Sequence, residues 1–167
     1  MGLFNGVIMD RATRLVISNQ LEILKHLDPD QKEEYELQQE IIRSGYTSRY
    51  NEVFNDLSEE EADAKMQQEV WDILGMFRAL NNARLRGWIA SDPEAATYQG
   101  FDANNDPHQW FAAHLLDNSD LFEESAPNKN SHSVSTLPTY RRMLAVWKKS
   151  VDMYKLTDEE AEAIITA

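Results

Sequence analysis

Apolar residues recur along this chain at three- and four-residue intervals, and no stretch of any length alternates polar with apolar positions. Ile17, Leu21, Leu24 and Leu27, widened by Leu15 and Ile23, predict a first helix over 10–27 that stops at Asp28-Pro29. The same pair opens a second helix, with Asp28 as its cap and Pro29 in the first helical position. Tyr35, Ile41 and Ile42 are its inward residues, and Gly45 is its left-handed terminator. A shorter helix over 47–57 offers Tyr50, Val53, Phe54 and Leu57. Ser58 to Glu61 has the form of a capping box. The longest stripe follows it: Met66, Val70, Ile73, Leu74, Phe77, Leu80 and Leu85, running on to Trp88. Gly75 inside that helix costs about 1 kcal/mol relative to Ala, which predicts a close helix contact there.

Beyond Trp88 the pattern breaks at Ser91 to Glu94, and 100–106 reads as a polar loop. Pro107 opens a helix carrying Trp110, Phe111, Leu115 and Leu116, with Asp106 as its cap. The stretch 123–138, rich in Ser, Asn and Pro, predicts a long surface loop. Tyr140, Met143, Leu144, Trp147 and Val151 form another stripe. Thr157 to Glu160 is a second capping box, opening a terminal helix that turns Ala161, Ile164 and Ile165 inward. The elements predict an all-α, compact single-domain bundle of roughly six to eight helices over 10–167. Residues 1–9 are expected to be an N-terminal extension, with Met9 an alternative translation start.

Hydrophobic residues make up 42% of the 167 positions, enough for a packed core. The formal net charge of −13 repels nucleic-acid phosphates and anionic membranes, so neither is expected as a partner. Its simplest use is a soluble, aggregation-resistant surface; docking on a basic partner or mimicry of DNA is the alternative. The chain has no cysteine, which excludes disulfides, thiol catalysis and Cys-ligated metals. The start of the chain lacks the basic flank and long apolar core of a signal peptide, and no apolar run is long enough to span a membrane. A cytoplasmic location is expected.

Candidate chemistry is sparse. Asp102, Asn104 and Asp106 imitate the start of a calcium loop, but Pro107 and Ala113 stand where Gly and a bidentate Glu are needed. The simpler reading is that they shape turns. The four histidines, His26, His108, His114 and His132, show no i, i+4 pairing and no HExxH, so no metal and no cofactor are expected. His132 lies in the Ser-rich loop ahead of Arg141 and Arg142, where it could serve an anion or a proton transfer, or simply fasten the loop. The Arg and Lys clusters at 78–86 and 141–149 predict intrachain pairing with acidic helices, or a small anion patch. Ser18, Asn19 and Gln20 interrupt the first helix. Three consecutive polar residues span most of a turn, so one must approach the core, and Arg14 is placed to join the Ser18 side of that network.

Several blocks occur together and in order: RLVISNQ (14–20), LDPD (27–30), IIRSGY (41–46), GFDAN (100–104), NSH (130–132), YRRMLAVW (140–147) and a terminal IITA. In this the chain resembles the YfbU family of small bacterial proteins, from about Arg11 to Ala167. The long-helix region shares mainly the pattern. The resemblance implies a helical cytoplasmic protein with no established activity or cofactor. Its blocks contain Arg14, Asn19, Gln20, Asp102, Asn104, His132 and Arg141, which are therefore the candidate polar site.

The expected function is a non-enzymatic protein-interaction or regulatory module with a protein partner, self-associating as a homodimer. The apolar surface for this is expected from the long helix with Trp88 and from the Tyr140–Trp147 stripe. The competing expectation is a small ligand-binding protein, or a hydrolase or nuclease-like toxin, built on His132, Arg141 and Asp102.

Overall fold

The computed structural model describes residues 8–58, 60–130 and 133–167. Among them are seven α-helices and no β-strand, so the protein is all-α. Its internal contacts separate it into two units, Met1–Glu61 and Ala62–Ala167.

The first unit is a helical hairpin. Helix α1 (Arg11–Leu27) starts where Asp10 accepts a hydrogen bond from the Thr13 amide at 2.7 Å. A single 3-10 turn, Pro29–Gln31, leads into α2 (Lys32–Ser44). Pro29 takes the first position of that turn, but Asp28 does not cap it; its carboxylate accepts from Tyr35 Oη at 3.3 Å instead. Gly45 ends α2 with φ +70°, a conformation that favours a residue without Cβ. The third helix is much shorter than 47–57. A 3-10 turn, Thr47–Arg49, is followed by α3 (Tyr50–Val53), and Leu57 is exposed. The core is small: Leu21, Ile41, Ile42 and Tyr50, with Met9, Ile17, Tyr35, Val53 and Phe54 partly buried against it.

The second unit is built around α4 (Ala64–Leu85), which begins later than expected. Asp63, not Ser58, is the cap, accepting from the Met66 amide at 2.8 Å, and it leaves the acidic residues before it outside the helix. Val70, Ile73, Leu74, Met76, Phe77, Leu80 and Ala83 are fully or almost fully buried. A Cβ at Gly75 would lie 3.5 Å from the Trp147 ring, which is the close contact the glycine predicts. Trp147 ends α6 (Leu137–Trp147), whose Tyr140, Met143 and Leu144 are also buried. Val151 lies beyond that helix and is fully exposed.

Helix α5 (His108–Asn118) follows Pro107 without a side-chain cap, so Asp106 does not play the expected role. It turns His108, Gln109, Ala112, Leu115 and Leu116 inward and leaves Trp110 outside. Helix α7 (Asp158–Ile165) opens with the complete capping box of Thr157 and Glu160 and buries Ala161, Ile164 and Ile165. The stretch 123–138 is not all surface loop: Ser125 and Leu137 are buried, and Ala126–Asn128 form a 3-10 turn.

The loop that precedes α5 is fastened from several sides. Gly100 O accepts from Thr136 Oγ1 at 2.8 Å and from Tyr140 Oη at 3.1 Å. Gln109 accepts from the Phe101 amide at 3.2 Å and donates to Lys129 O at 2.6 Å. Burial pushes the Tyr140 hydroxyl up to about 12 and Tyr98 further still, so both phenols remain protonated; their rings form an aromatic cluster with Phe77 and Phe101, and Tyr98 Oη is buried with no hydrogen-bond partner among the described residues.

Candidate functional site

The candidate residues fall into both units. Arg14, Asn19 and Gln20 belong to the first; Asp102, Asn104 and Arg141 belong to the second. His132 lies outside the described residues.

In the first unit the polar triplet divides. Ser18 is buried, whereas Asn19 and Gln20 point to solvent. The partner of Ser18 is Arg43 rather than Arg14: Arg43 Nε donates to Ser18 Oγ at 2.8 Å, and Gln39 Nε2 donates to Ser18 O at 2.8 Å. Gln39 is itself buried, and its carbonyl accepts from Lys25 Nζ at 3.2 Å. These bonds satisfy Ser18 and Gln39, the two polar residues buried between α1 and α2. Arg14 points instead toward Gly45 and Tyr50. Its Nε is buried with no hydrogen-bond partner among the described residues. Arg11, Arg14, Ser18, Asn19 and Arg43 line an open cleft of about 460 Å³. Among the described residues, none of these three arginines forms an ion pair with a carboxylate.

The second unit carries a different arrangement. Arg141 on α6 holds Glu69 on α4 in a two-point clasp, Nε to Oε1 and Nη2 to Oε2, both at 2.8 Å. His108 Nε2 lies 2.8 Å from Glu69 Oε2. The Arg141 guanidinium, opposed by partial burial and helped by His108, holds the Glu69 carboxyl down at about 2. An ionised carboxylate only accepts, so His108 donates through Nε2. That leaves His108 Nδ1 buried without a partner among the described residues, as is Asp106 Oδ2. Lys148, one helical face with Arg141, pairs with Asp72. Glu69, Asp72, His108, Arg141 and Lys148 line an open cleft of about 450 Å³. Arg141 and Lys148 are committed to carboxylates of α4, in line with the expectation of intrachain pairing, while Lys65, which also lines the cleft, forms no ion pair among the described residues.

Asp102 and Asn104 do not join this cleft's lining. Asp102 is buried and organises its own loop, accepting from the Asn104 amide at 3.0 Å and from Asn105 Nδ2 at 2.7 Å. This is turn shaping by a side-chain carboxylate. Among the described residues no group of three or more acidic or His side chains is placed to hold a metal ion. Likewise, among the described residues no helix is long and apolar enough to cross a membrane.

Three contributors escape a reading of the sequence alone. Arg43 lies inside the IIRSGY block and is legible there only as a charged residue between buried Ile42 and the helix end. His108 enters that reading only as a possible metal ligand. Glu69 is one glutamate in a chain with 29 acidic residues, and nothing in the sequence distinguishes it.

The apolar surface also lies elsewhere than expected. Trp88 and the Tyr140–Trp147 stripe are buried in the second unit's own core, so they offer no docking face. Leu85, Ile89, Trp110, Val151 and Tyr154 are exposed in the second unit, but among the described residues the helix with most exposed large apolar side chains is α1, where Leu15 is 62%, Val16 58%, Ile23 51%, Leu24 38% and Leu27 74% exposed.

A protein-family model described as the YfbU domain matches residues 7–167.

Proposed function

This chain belongs to the YfbU family, and on that premise we propose that it is a non-enzymatic protein-interaction module whose contact surface is the outer face of α1. One observation carries the reading: Leu15, Val16, Ile23, Leu24 and Leu27 are all exposed on a single helix, in a protein that is otherwise strongly acidic. Contiguous apolar surface of this kind is uncommon on soluble monomers and marks contact sites. Covering it releases about 25 cal/mol for each Å² of apolar area removed from water. In the second unit the cationic groups of Arg141 and Lys148 are engaged by Glu69 and Asp72, which leaves neither in place to polarise a substrate.

A photo-cross-linking residue placed at Asn19 tests the reading in living cells, with the same residue at exposed Glu94 as control. Covalent protein adducts at position 19 and none at 94 are expected. No adduct at 19 contradicts the proposal.

A second reading, a small-ligand or hydrolytic site, has one observation in its favour. His108 Nδ1 and Asp106 Oδ2 are buried and unpaired near the Glu69–Arg141 pair, and buried polar atoms normally find partners. A thermal-shift screen of small polar anions against the wild type and Arg141→Gln decides it. A ligand that stabilises only the wild type supports this reading, and uniform silence removes it.

A further inference from the structure

We propose that the cleft between the start of α1 and the end of α2 is a binding site for a phosphate dianion, either the free ion or the monoester of a small molecule. The site lies wholly within the helical hairpin of the first unit, and it does not depend on the interaction reading above.

The first ground is uncompensated charge. Arg11, Arg14 and Arg43 line this cleft, and no acidic residue does. The chain has 29 acidic residues against 16 Lys and Arg, so three cations gathered without a carboxylate are an exception that needs a cause. The cleft of the second unit shows the ordinary arrangement, with Glu69 and Asp72 beside Arg141 and Lys148. Asp10 is the acidic residue nearest in sequence, but it accepts from the Thr13 amide and does not line the cleft. Like charges held together repel one another, and a dianion placed between them removes that repulsion.

The second ground is unmet hydrogen bonding. A guanidinium carries N–H donors and no acceptor. Arg14 Nε is buried without a partner among the described residues. The Arg14 guanidinium lies beside Gly45, at the carbonyl end of α2. It is not a cap for that helix, because the Ile41 and Ile42 carbonyls there accept from the Gly45 and Tyr46 amides. Buried donors normally have partners, and one left open beside a cleft marks the place of a missing acceptor.

The third ground is placement. Arg11, Arg14 and Ser18 follow one another at intervals of three and four, so they share one face of α1. Arg43 reaches the same cleft from α2, where Ser18 Oγ accepts from its Nε at 2.8 Å and fixes the guanidinium. Gly45 gives Arg14 its seat, since a Cβ there would collide with the guanidinium. Cations thus approach from two helices. A tetrahedral dianion accepts from several directions, whereas a monocarboxylate offers one plane and one charge. A nucleic acid would bring many phosphates against a net charge of −13, which favours a single phosphate group on a small molecule.

Isothermal titration calorimetry of the full chain with inorganic phosphate, at fixed ionic strength, tests the proposal. The wild type should bind one phosphate per chain. Arg14→Met and Arg11→Gln should each weaken binding about tenfold or more. Arg84→Gln removes an exposed arginine of the second unit and should bind like the wild type. Without phosphate, Arg14→Met should melt at or above the wild-type temperature, because it removes an unpaired donor and a like charge. If it melts lower, Arg11→Gln decides alone, since the Arg11 side chain is exposed and forms no ion pair among the described residues. Glycerol phosphate that binds as well as inorganic phosphate assigns the site to a monoester, and binding of inorganic phosphate alone assigns it to the free ion. A wild type that binds no phosphate overturns the proposal. So do an Arg11→Gln that binds like wild type, a loss as large in Arg84→Gln, or acetate that binds as tightly as phosphate.

Discussion

Arg141 and Glu69 are joined by two parallel hydrogen bonds of 2.8 Å that tie α6 to α4, with His108 closing the set from α5. The arrangement fixes three helices of the second unit through one carboxylate. Its energetic weight is moderate, because the Arg141 side chain is more than half exposed and solvent screens the pair.

Glu69→Gln should therefore lower unfolding free energy at neutral pH by about 1–2 kcal/mol. The pH dependence has a definite sign. Glu69 is held at about 2 in the folded protein, against an ordinary value of 4.5. The stability it contributes is present above 4.5 and is lost as pH falls from there toward 2. Urea titrations of wild type and Glu69→Gln should thus differ most near pH 7 and converge in strong acid. A difference that grows on acidification would contradict this role.

Gly75 gives a prediction that separates two substitutions. An added Cβ would meet the Trp147 ring at 3.5 Å, an ordinary contact, while Ala is about 1 kcal/mol better than Gly within a helix. Gly75→Ala should be neutral or stabilising by up to about 1 kcal/mol. Gly75→Leu drives a large side chain into the indole and should destabilise by about 1–3 kcal/mol. Thermal unfolding of the two variants reads this directly.

Gly45 behaves in the opposite way. Its φ of +70° is strained for any residue with a Cβ, and that Cβ would run into the Arg14 guanidinium. Gly45→Ala should cost about 1–2 kcal/mol. Pairing it with Arg14→Ala relieves the collision but not the backbone strain, so only part of the loss should return. Full recovery in the double variant would show that the conformation itself carries no strain.

Thr157 and Glu160 form the reciprocal cap of α7, with Thr157 Oγ1 accepting from the Glu160 amide at 3.2 Å and Glu160 Oε2 accepting from the Thr157 amide at 2.9 Å. Thr157→Ala should cost about 1 kcal/mol and speed amide exchange in the first turn of the helix. Uniformly faster exchange across α4 and α6 would instead indicate loss of the whole unit's packing.

Much of the architecture was legible because periodicity and capping chemistry agree in α4, α6 and α7. Val70, Ile73, Leu74 and Phe77 face inward as their spacing requires, and Thr157 with Glu160 marks the start of α7. Misreadings arose where two local signals competed. Ser58 and Asp63 both offer a cap to α4, and the chain uses Asp63. In α1 apolar residues occupy more than one face, so spacing alone cannot say which face is covered. The polar side chains of Gln39 and Arg43 decide it by bonding Ser18, which buries Ser18 and Leu21 and leaves Leu24 and Leu27 outside. Candidate site residues were the least legible. Arg141 proved to be half of an ion pair whose other half, Glu69, has no local mark in the sequence.

The most direct measurement of the central claim is a photo-cross-linking walk along the outer face of α1. The cross-linking residue at exposed positions 15, 16, 23, 24 and 27 should give covalent protein adducts, and the same residue at exposed Glu94 should give none. No adduct at any of the α1 positions, or adducts at 94 as abundant as those on α1, would contradict the account.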